Sequence, residues 1–258
     1  MERKPFITER CQFIWREMFT GNWELFQKVL GNPETIIVYD IDGILIDTPK
    51  IVLNKFTEKT GIRTNPVDID KWNYLSELAE NSGLSKDVIE HANDDWFRPE
   101  VLARAHRYLY IKSLVQKTVN YYGPQRNFVL TSRNPYFKLS TINHFSYELP
   151  EIKSENIFIR DNGGVDMTVA ANFKTEKIRD LAIKAPWVFF VDDSPDFSEA
   201  VLRDGPENCL VINIPLGKTK PTLPHERLIV IKRFPEDLQA MYPLKFMVDK
   251  AIDSTSNK

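Results

Sequence analysis

Two aspartates separated by a single residue, Asp40 and Asp42, follow the apolar run IIVY at 36–39 and are themselves followed by Gly43. In an extended segment, side chains at i and i+2 point the same way, so both carboxylates face one small volume. Two acids held that close are tolerated when a cation lies between them or when one of them keeps its proton, and both arrangements are useful in catalysis. Gly43 lets the chain turn sharply behind the pair, although an ordinary turn at the end of a strand has the same local sequence. Polar residues follow other β-favouring runs in the same way: Thr131, Ser132 and Arg133 after FVL, and Asp192 and Asp193 after WVFFV. Lys174, near the start of FKTEKIRDLA, precedes the second acid pair by about 18 residues. Carboxylates, a hydroxyl and an ammonium suit phosphoryl transfer, which needs a nucleophile, a proton donor, a divalent cation and donors for the equatorial oxygens.

These residues can act together only if a sheet brings them to one edge. The runs IIVY, NFVLTS, NIFIR, WVFFVDD, CLVINI and RLIVIK are short and rich in Val, Ile and Phe, and helical periodicity separates them near 135–146, 174–184 and 196–203. That alternation predicts an α/β fold: a Rossmann-like three-layer α/β/α core with a mainly parallel sheet, which binds ligands beyond the carboxyl ends of its strands. Between the first two runs, residues 49–124 read as helices, with starts at Ser85 and Pro99. This predicts an α-helical cap at 49–124 inserted into a core made of 34–48 and 125–258. Residues 1–33 are predicted to form an N-terminal helical extension, broken near Gly21 and Asn22 and ended by GNP at 31–33. The closing STSNK is expected to fray.

A chain of 258 residues with 42% hydrophobic content can bury a sizeable core. Its longest apolar runs fall far short of the roughly 18 residues a bilayer span needs, and the first residues lack a signal-peptide pattern. Two cysteines, Cys11 and Cys209, are too few for a disulfide framework, so a cytoplasmic protein with no membrane partner is expected. A net charge of −2 gives no global attraction to nucleic acid. Hard oxygen ligands without a His or Cys cluster point to magnesium rather than zinc, and His91, His106, His144 and His225 are scattered without ligand spacing. LGKT at 216–219 ends like a phosphate-binding loop, but Ile212 replaces the earlier glycine and Pro221 and Pro224 prevent a following helix.

DIDGILID at 40–47, VLTSR at 129–133, Lys174 and FVDDSPD at 190–196 resemble, in order, the four motifs of the haloacid dehalogenase superfamily of aspartate-nucleophile phosphohydrolases. The resemblance covers about 35–234 and places the helical insert where that family has a cap. It implies that Asp40 is the nucleophile, forming an aspartyl phosphate, and that Asp42 is general acid for the leaving oxygen and then base for water. Thr131 and Lys174 would hold phosphate oxygens, and Asp40, the Asp42 backbone carbonyl, Asp192 and Asp193 would coordinate Mg2+. Ile44 departs from the threonine common after DxDG. Asp42 favours phosphate-ester chemistry, because dehalogenating members lack the second aspartate.

The implied substrate is a small phosphorylated metabolite. The DIDG start and aromatic-rich cap look similar to the 5′-nucleotidases of that superfamily, which adds a nucleoside monophosphate as a candidate. Ser132, Arg133, Trp72, Trp96 and Arg98, with Tyr74 and Phe97, are the expected substrate contacts. Two alternatives stay open: a nucleic-acid 3′-end phosphatase, because VLTSR is similar to the second motif of polynucleotide 3′-phosphatases, and a non-catalytic binding protein. Oligomeric state is not legible.

Overall fold

The structure, a computed structural model, describes residues 19–71, 73–161, 166–219, 221, 224–231 and 242–256. Its elements are β1 (Phe19–Thr20), α1 (Trp23–Leu30), β2 (Ile36–Tyr39), α2 (Thr48–Thr60), α3 (Tyr74–Asn81), α4 (Lys86–His91), α5 (Pro99–Leu102) and α6 (Ile111–Tyr122). They continue with β3 (Asn127–Thr131), α7 (Lys138–Glu148), β4 (Ile157–Ile159), α8 (Met167–Ala182), β5 (Val188–Asp192), α9 (Pro195–Asp204), β6 (Cys209–Asn213), β7 (Leu228–Ile231) and α10 (Tyr242–Ser256). The sheet order is β1-β7-β6-β5-β2-β3-β4, and every pair is parallel except β1 with β7.

The central strands are apolar along most of their length because both faces of the sheet are covered. Ile37, Tyr39, Phe189, Val191, Leu210 and Ile212 share one cluster with α1, α6 and α10. Ile36, Val38, Val188, Phe190 and Val211 share another with α8 and α9. Successive residues of a strand thus feed opposite layers, giving the expected α/β/α sandwich. From β2 the chain proceeds outward to β3 and β4, then crosses back to β5 and outward the other way. The direction switches at β2, where open parallel sheets form a ligand crevice.

Several boundaries differ from the sequence-based expectation. Before Gly21 the described residues form β1, which pairs antiparallel with β7, so edge pairing overrides the local helical spacing. The remainder of the N-terminal extension is α1, started by the Asn22 side chain accepting from Leu25 N–H, and its Phe26, Val29 and Leu30 belong to the main core. The segment expected to be the cap, 49–124, packs in two places. Its own cluster, including Val52, Phe56, Leu75, Ala79 and Val101, stops with α5, whereas Ile111, Leu114, Val115 and Tyr122 of α6 pack in the core. The expected fraying at STSNK is corrected through Ser256, which α10 includes; this helix buries Leu244, Met247, Val248, Ala251 and Ile252 in the core. No helix among the described residues is long and apolar enough to cross a membrane.

The chain leaves and re-enters the core side by side. Asp47 N–H donates to the His106 carbonyl at 2.9 Å and Tyr108 N–H to the Leu45 carbonyl at 3.1 Å. Ile46 and Arg107 form the antiparallel bridge between them. Ile44 is fully buried in the core, so the departure from threonine is absorbed as packing.

Candidate active site

Parallel registration carries the acids to one place. Tyr39 lies beside Val191, and Asp40 N–H donates to the Val191 carbonyl at 2.9 Å, so β2 ends next to the end of β5. Lys174 comes from the middle of α8 rather than its start, because the helix begins earlier, at an Asp166 carboxylate that accepts from Thr168 and Val169 N–H. Its Nζ lies 3.0 Å from Asp40 Oδ1 and 2.6 Å from Asp192 Oδ2, with the Phe197 ring centroid at 4.3 Å. Burial works against the ammonium's charge, but Asp192 and Asp40 hold its pKa above the ordinary lysine range. Lys174 has no exposed surface and is not part of the cavity wall, so here it steadies the acids.

Asp40, Asp192 and Asp193 each offer a carboxylate oxygen within 4.8 Å of one another. Asp192 is fully buried, and its second oxygen accepts from Ser194 N–H at 2.8 Å. Burial pushes the Asp40 carboxyl well above the usual range; Lys174 opposes this, while Asp192, Asp193 and Asp42 reinforce it. Asp40 Oδ1 is buried without a well-formed hydrogen bond, although it is ion-paired to Lys174. Three crowded carboxylates against one ammonium form a donor set that fits a hard divalent cation, whose charge would let Asp40 ionise. Gly43, at φ +80°, keeps this geometry possible, since a Cβ there would meet Asp193 Oδ2 at 2.3 Å. The Asp/Gly turn is therefore a place where a second acid comes in close.

Asp42 has a different neighbourhood. The Arg133 guanidinium forks onto it, with Nε to Oδ2 at 2.8 Å and Nη2 to Oδ1 at 2.6 Å, and Thr48 Oγ1 donates to Oδ1 at 2.5 Å. Burial raises the Asp42 pKa, but Arg133 and then Thr48 outweigh it and hold the carboxyl below its usual range. Arg133 also donates from Nη1 to Thr141 Oγ1 at 3.2 Å. Thr48 was invisible as a site residue by motif. Its only sequence signal is its place in the first turn of α2, directly after the capping Asp47.

A cavity of about 420 Å³ opens from Asp40, Asp42 and Asp193 between core and cap. Of the residues expected to touch substrate, Ser132, Arg133 and Trp96 line it, as do Tyr74 and Phe97. Arg98 does not; it pairs with Asp94 and Asp95 at 3.7 and 3.6 Å. Trp72 lies outside the described residues. Thr131 is buried at the end of β3, where its Oγ1 accepts from Arg133 N–H at 3.2 Å, and it does not line the cavity. Arg160, directly after β4, and Leu216, after β6, line the cavity and belong to no motif.

No family model and no curated protein matches the chain. Among solved structures it is similar to Protein Tyrosine Kinase A of Mycobacterium tuberculosis, with 16% identity, 84% of this chain and 98% of that chain covered, and a TM-score of 0.52. It is also similar to a haloacid dehalogenase-like hydrolase of Burkholderia xenovorans (12% identity, 85% and 98% covered, TM-score 0.49). A haloacid dehalogenase-like hydrolase of Streptococcus pneumoniae gives 12% identity, 81% and 99% covered, and a TM-score of 0.48. At 16% identity the likeness to the Mycobacterium tuberculosis chain is one of fold alone.

Proposed function

We propose that this chain, with its haloacid dehalogenase-like fold, is a magnesium-dependent phosphatase that hydrolyses a small phosphate monoester through an aspartyl phosphate on Asp40. The observation that carries the reading is the meeting of Asp40 with Lys174 and the Asp192/Asp193 pair at the carboxyl ends of two neighbouring parallel strands. Asp40, Asp192 and Asp193 would hold the cation, with the Asp42 carbonyl completing the set that the sequence resemblance implies. When bound, Mg2+ supplies neutralising charge for the phosphoryl group and for the acids.

An Asp40 carboxylate oxygen attacks phosphorus, and the bond to the leaving oxygen breaks as that oxygen takes a proton from Asp42. Water, losing its proton to Asp42, then attacks phosphorus, releasing phosphate and freeing Asp40. Lys174 keeps Asp40 aimed and offsets part of its charge. Both oxygens of Asp42 are engaged by Arg133 and Thr48, so in this reading the fork opens and Asp42 takes up a proton from solvent before it meets the leaving oxygen. The freed guanidinium is then able to turn to the phosphoryl oxygens, which match its planar donors. Ser132, on the cavity wall where Thr131 is not, is the hydroxyl nearest in sequence for the same task.

The wall formed by Tyr74, Trp96 and Phe97 supports a leaving group with a flat, apolar face, a nucleoside among the candidates. The test is a panel of phosphorylated metabolites assayed with magnesium beside Asp40→Asn. Turnover in the variant should fall roughly 10³-fold or more, and a variant with normal turnover would remove the nucleophile assignment.

A further inference from the structure

The segment LGKT at 216–219 belongs to no phosphate loop, yet it is one of the most constrained loops on the cavity. Its base is tied to the end of β5: Ile214 N–H donates to the Asp192 carbonyl at 2.9 Å, and Asn213 Nδ2 donates to the same carbonyl at 3.3 Å and to Ser198 Oγ at 3.0 Å. A turn closes it, with Thr219 Oγ1 donating to the Leu216 carbonyl at 2.7 Å. Its tip grips the cap. Leu216 is buried in the cap's cluster, the one buried member among the described residues that comes from outside the cap. Lys218 N–H donates to the Ile69 carbonyl at 2.6 Å. Gly217 sits at φ +60°, where a Cβ would meet the Ile69 carbonyl oxygen at 2.2 Å and that of Pro66 at 2.7 Å, so only glycine allows the approach. Leu216, Thr219 and Ile69 all face the cavity.

The two ends of this arrangement differ in what fixes them. The cap joins the core through two linkers, which pair with each other at Ile46 and Arg107. The loop hangs from the Asp192 carbonyl, on the same strand end that carries the Asp192/Asp193 pair. The backbone that carries Leu216 is therefore anchored on the core side, while its side chain packs among the cap's apolar residues. We propose that the loop at 214–219 clips the cap to the core and that Leu216, a cavity-wall residue carried by that loop, limits the bulk of the leaving group. The second half rests on the phosphatase reading above; the clip does not.

Two variants test it. In Leu216→Ala, the ratio of kcat/KM for 1-naphthyl phosphate to that for phenyl phosphate should rise about tenfold, the scale on which a hydrophobic pocket discriminates. Parallel changes for both esters, or a fall in the ratio, would overturn the wall. In Gly217→Ala, hydrogen exchange followed by mass spectrometry should speed up at Lys218, whose N–H donates to the Ile69 carbonyl, and stay unchanged in a peptide covering 105–108. Unaltered protection at Lys218 would overturn the clip. Absence of ester hydrolysis by the native chain with magnesium would remove the phosphatase reading and the leaving-group role with it, while the clip stands or falls on exchange alone.

Discussion

Asp42 is held at both of its oxygens: a fork of two N–H groups and one hydroxyl reach them. Arg133→Lys keeps the charge and loses the fork, because an ammonium is a point donor. If Asp42 is the proton-handling group and Arg133 sets its position, kcat should fall about 10²-fold, with a smaller change in KM and partial recovery on adding guanidinium at low concentration. Unchanged steady-state kinetics would make the fork an idle ion pair. Gly43 argues the same way for the cation. At concentrations of Mg2+ about 100-fold above its dissociation constant, binding should stabilise the native chain by about 2.7 kcal/mol in thermal or chemical denaturation. Gly43→Ala pushes a methyl group into Asp193 and should need roughly 10- to 100-fold more Mg2+ for the same gain. An equal response in the two proteins would separate Gly43 from the acid cluster.

Among the elements, α7 joins the acid site to the cap's linkers. Its Thr141 accepts from Arg133, and at its other end the buried Glu148 accepts from Arg107 Nη1 at 2.6 Å and meets His106 Nδ1 at 3.0 Å, both on the returning linker. Burial pushes Glu148 up, but His106 and Arg107 outweigh it and bring its pKa below the ordinary glutamate range. A carboxyl depressed in the folded state lends stability that is complete above its unfolded pKa and is lost as pH falls through the folded value. Glu148→Gln should therefore cost about 1–3 kcal/mol at neutral pH, and the penalty should shrink as falling pH protonates the native carboxyl; urea denaturation at neutral pH and across an acid series reads this. A penalty independent of pH would assign Glu148 to packing alone. The strands and the acids at their ends were legible because period and composition are local signals. The division of 49–124 was not, because α6 reads as one more amphipathic helix and only the layer it packs on sets it apart. Lys174 was placed at a helix start because the residues before it, VAANF, give little sign that a helix capped at Asp166 already includes them. The spacing of Leu244, Met247, Val248, Ala251 and Ile252 would have revealed α10, whose role in closing the core was missed. The Arg133 to Asp42 fork joins residues 91 positions apart, which no local pattern records.

On the scale of the whole molecule, the cavity draws its walls from both the sheet and the inserted helices. The sheet fixes the acids and, through the Asp192 carbonyl, the loop at 214–219; the cap supplies Tyr74, Trp96 and Phe97. Inserting that cap directly after β2 has a further consequence, in the order of assembly. β2 is flanked by β3 and β5 on its two sides, and Ile37 pairs with Asn127 and with Phe189, so the central strand finds its first sheet neighbour only about ninety residues later. At roughly 5–20 residues per second on a ribosome, that leaves Ile36, Ile37 and Val38 waiting on the order of ten seconds for a strand to join. The cap helices, most of whose contacts are local and quick to form, are made before β2 has a parallel partner, although their cluster is complete only when Leu216 arrives from beyond β6. In the proposed reading, the part that would recognise the leaving group is then made before the sheet that would do the chemistry, which gathers late around β2.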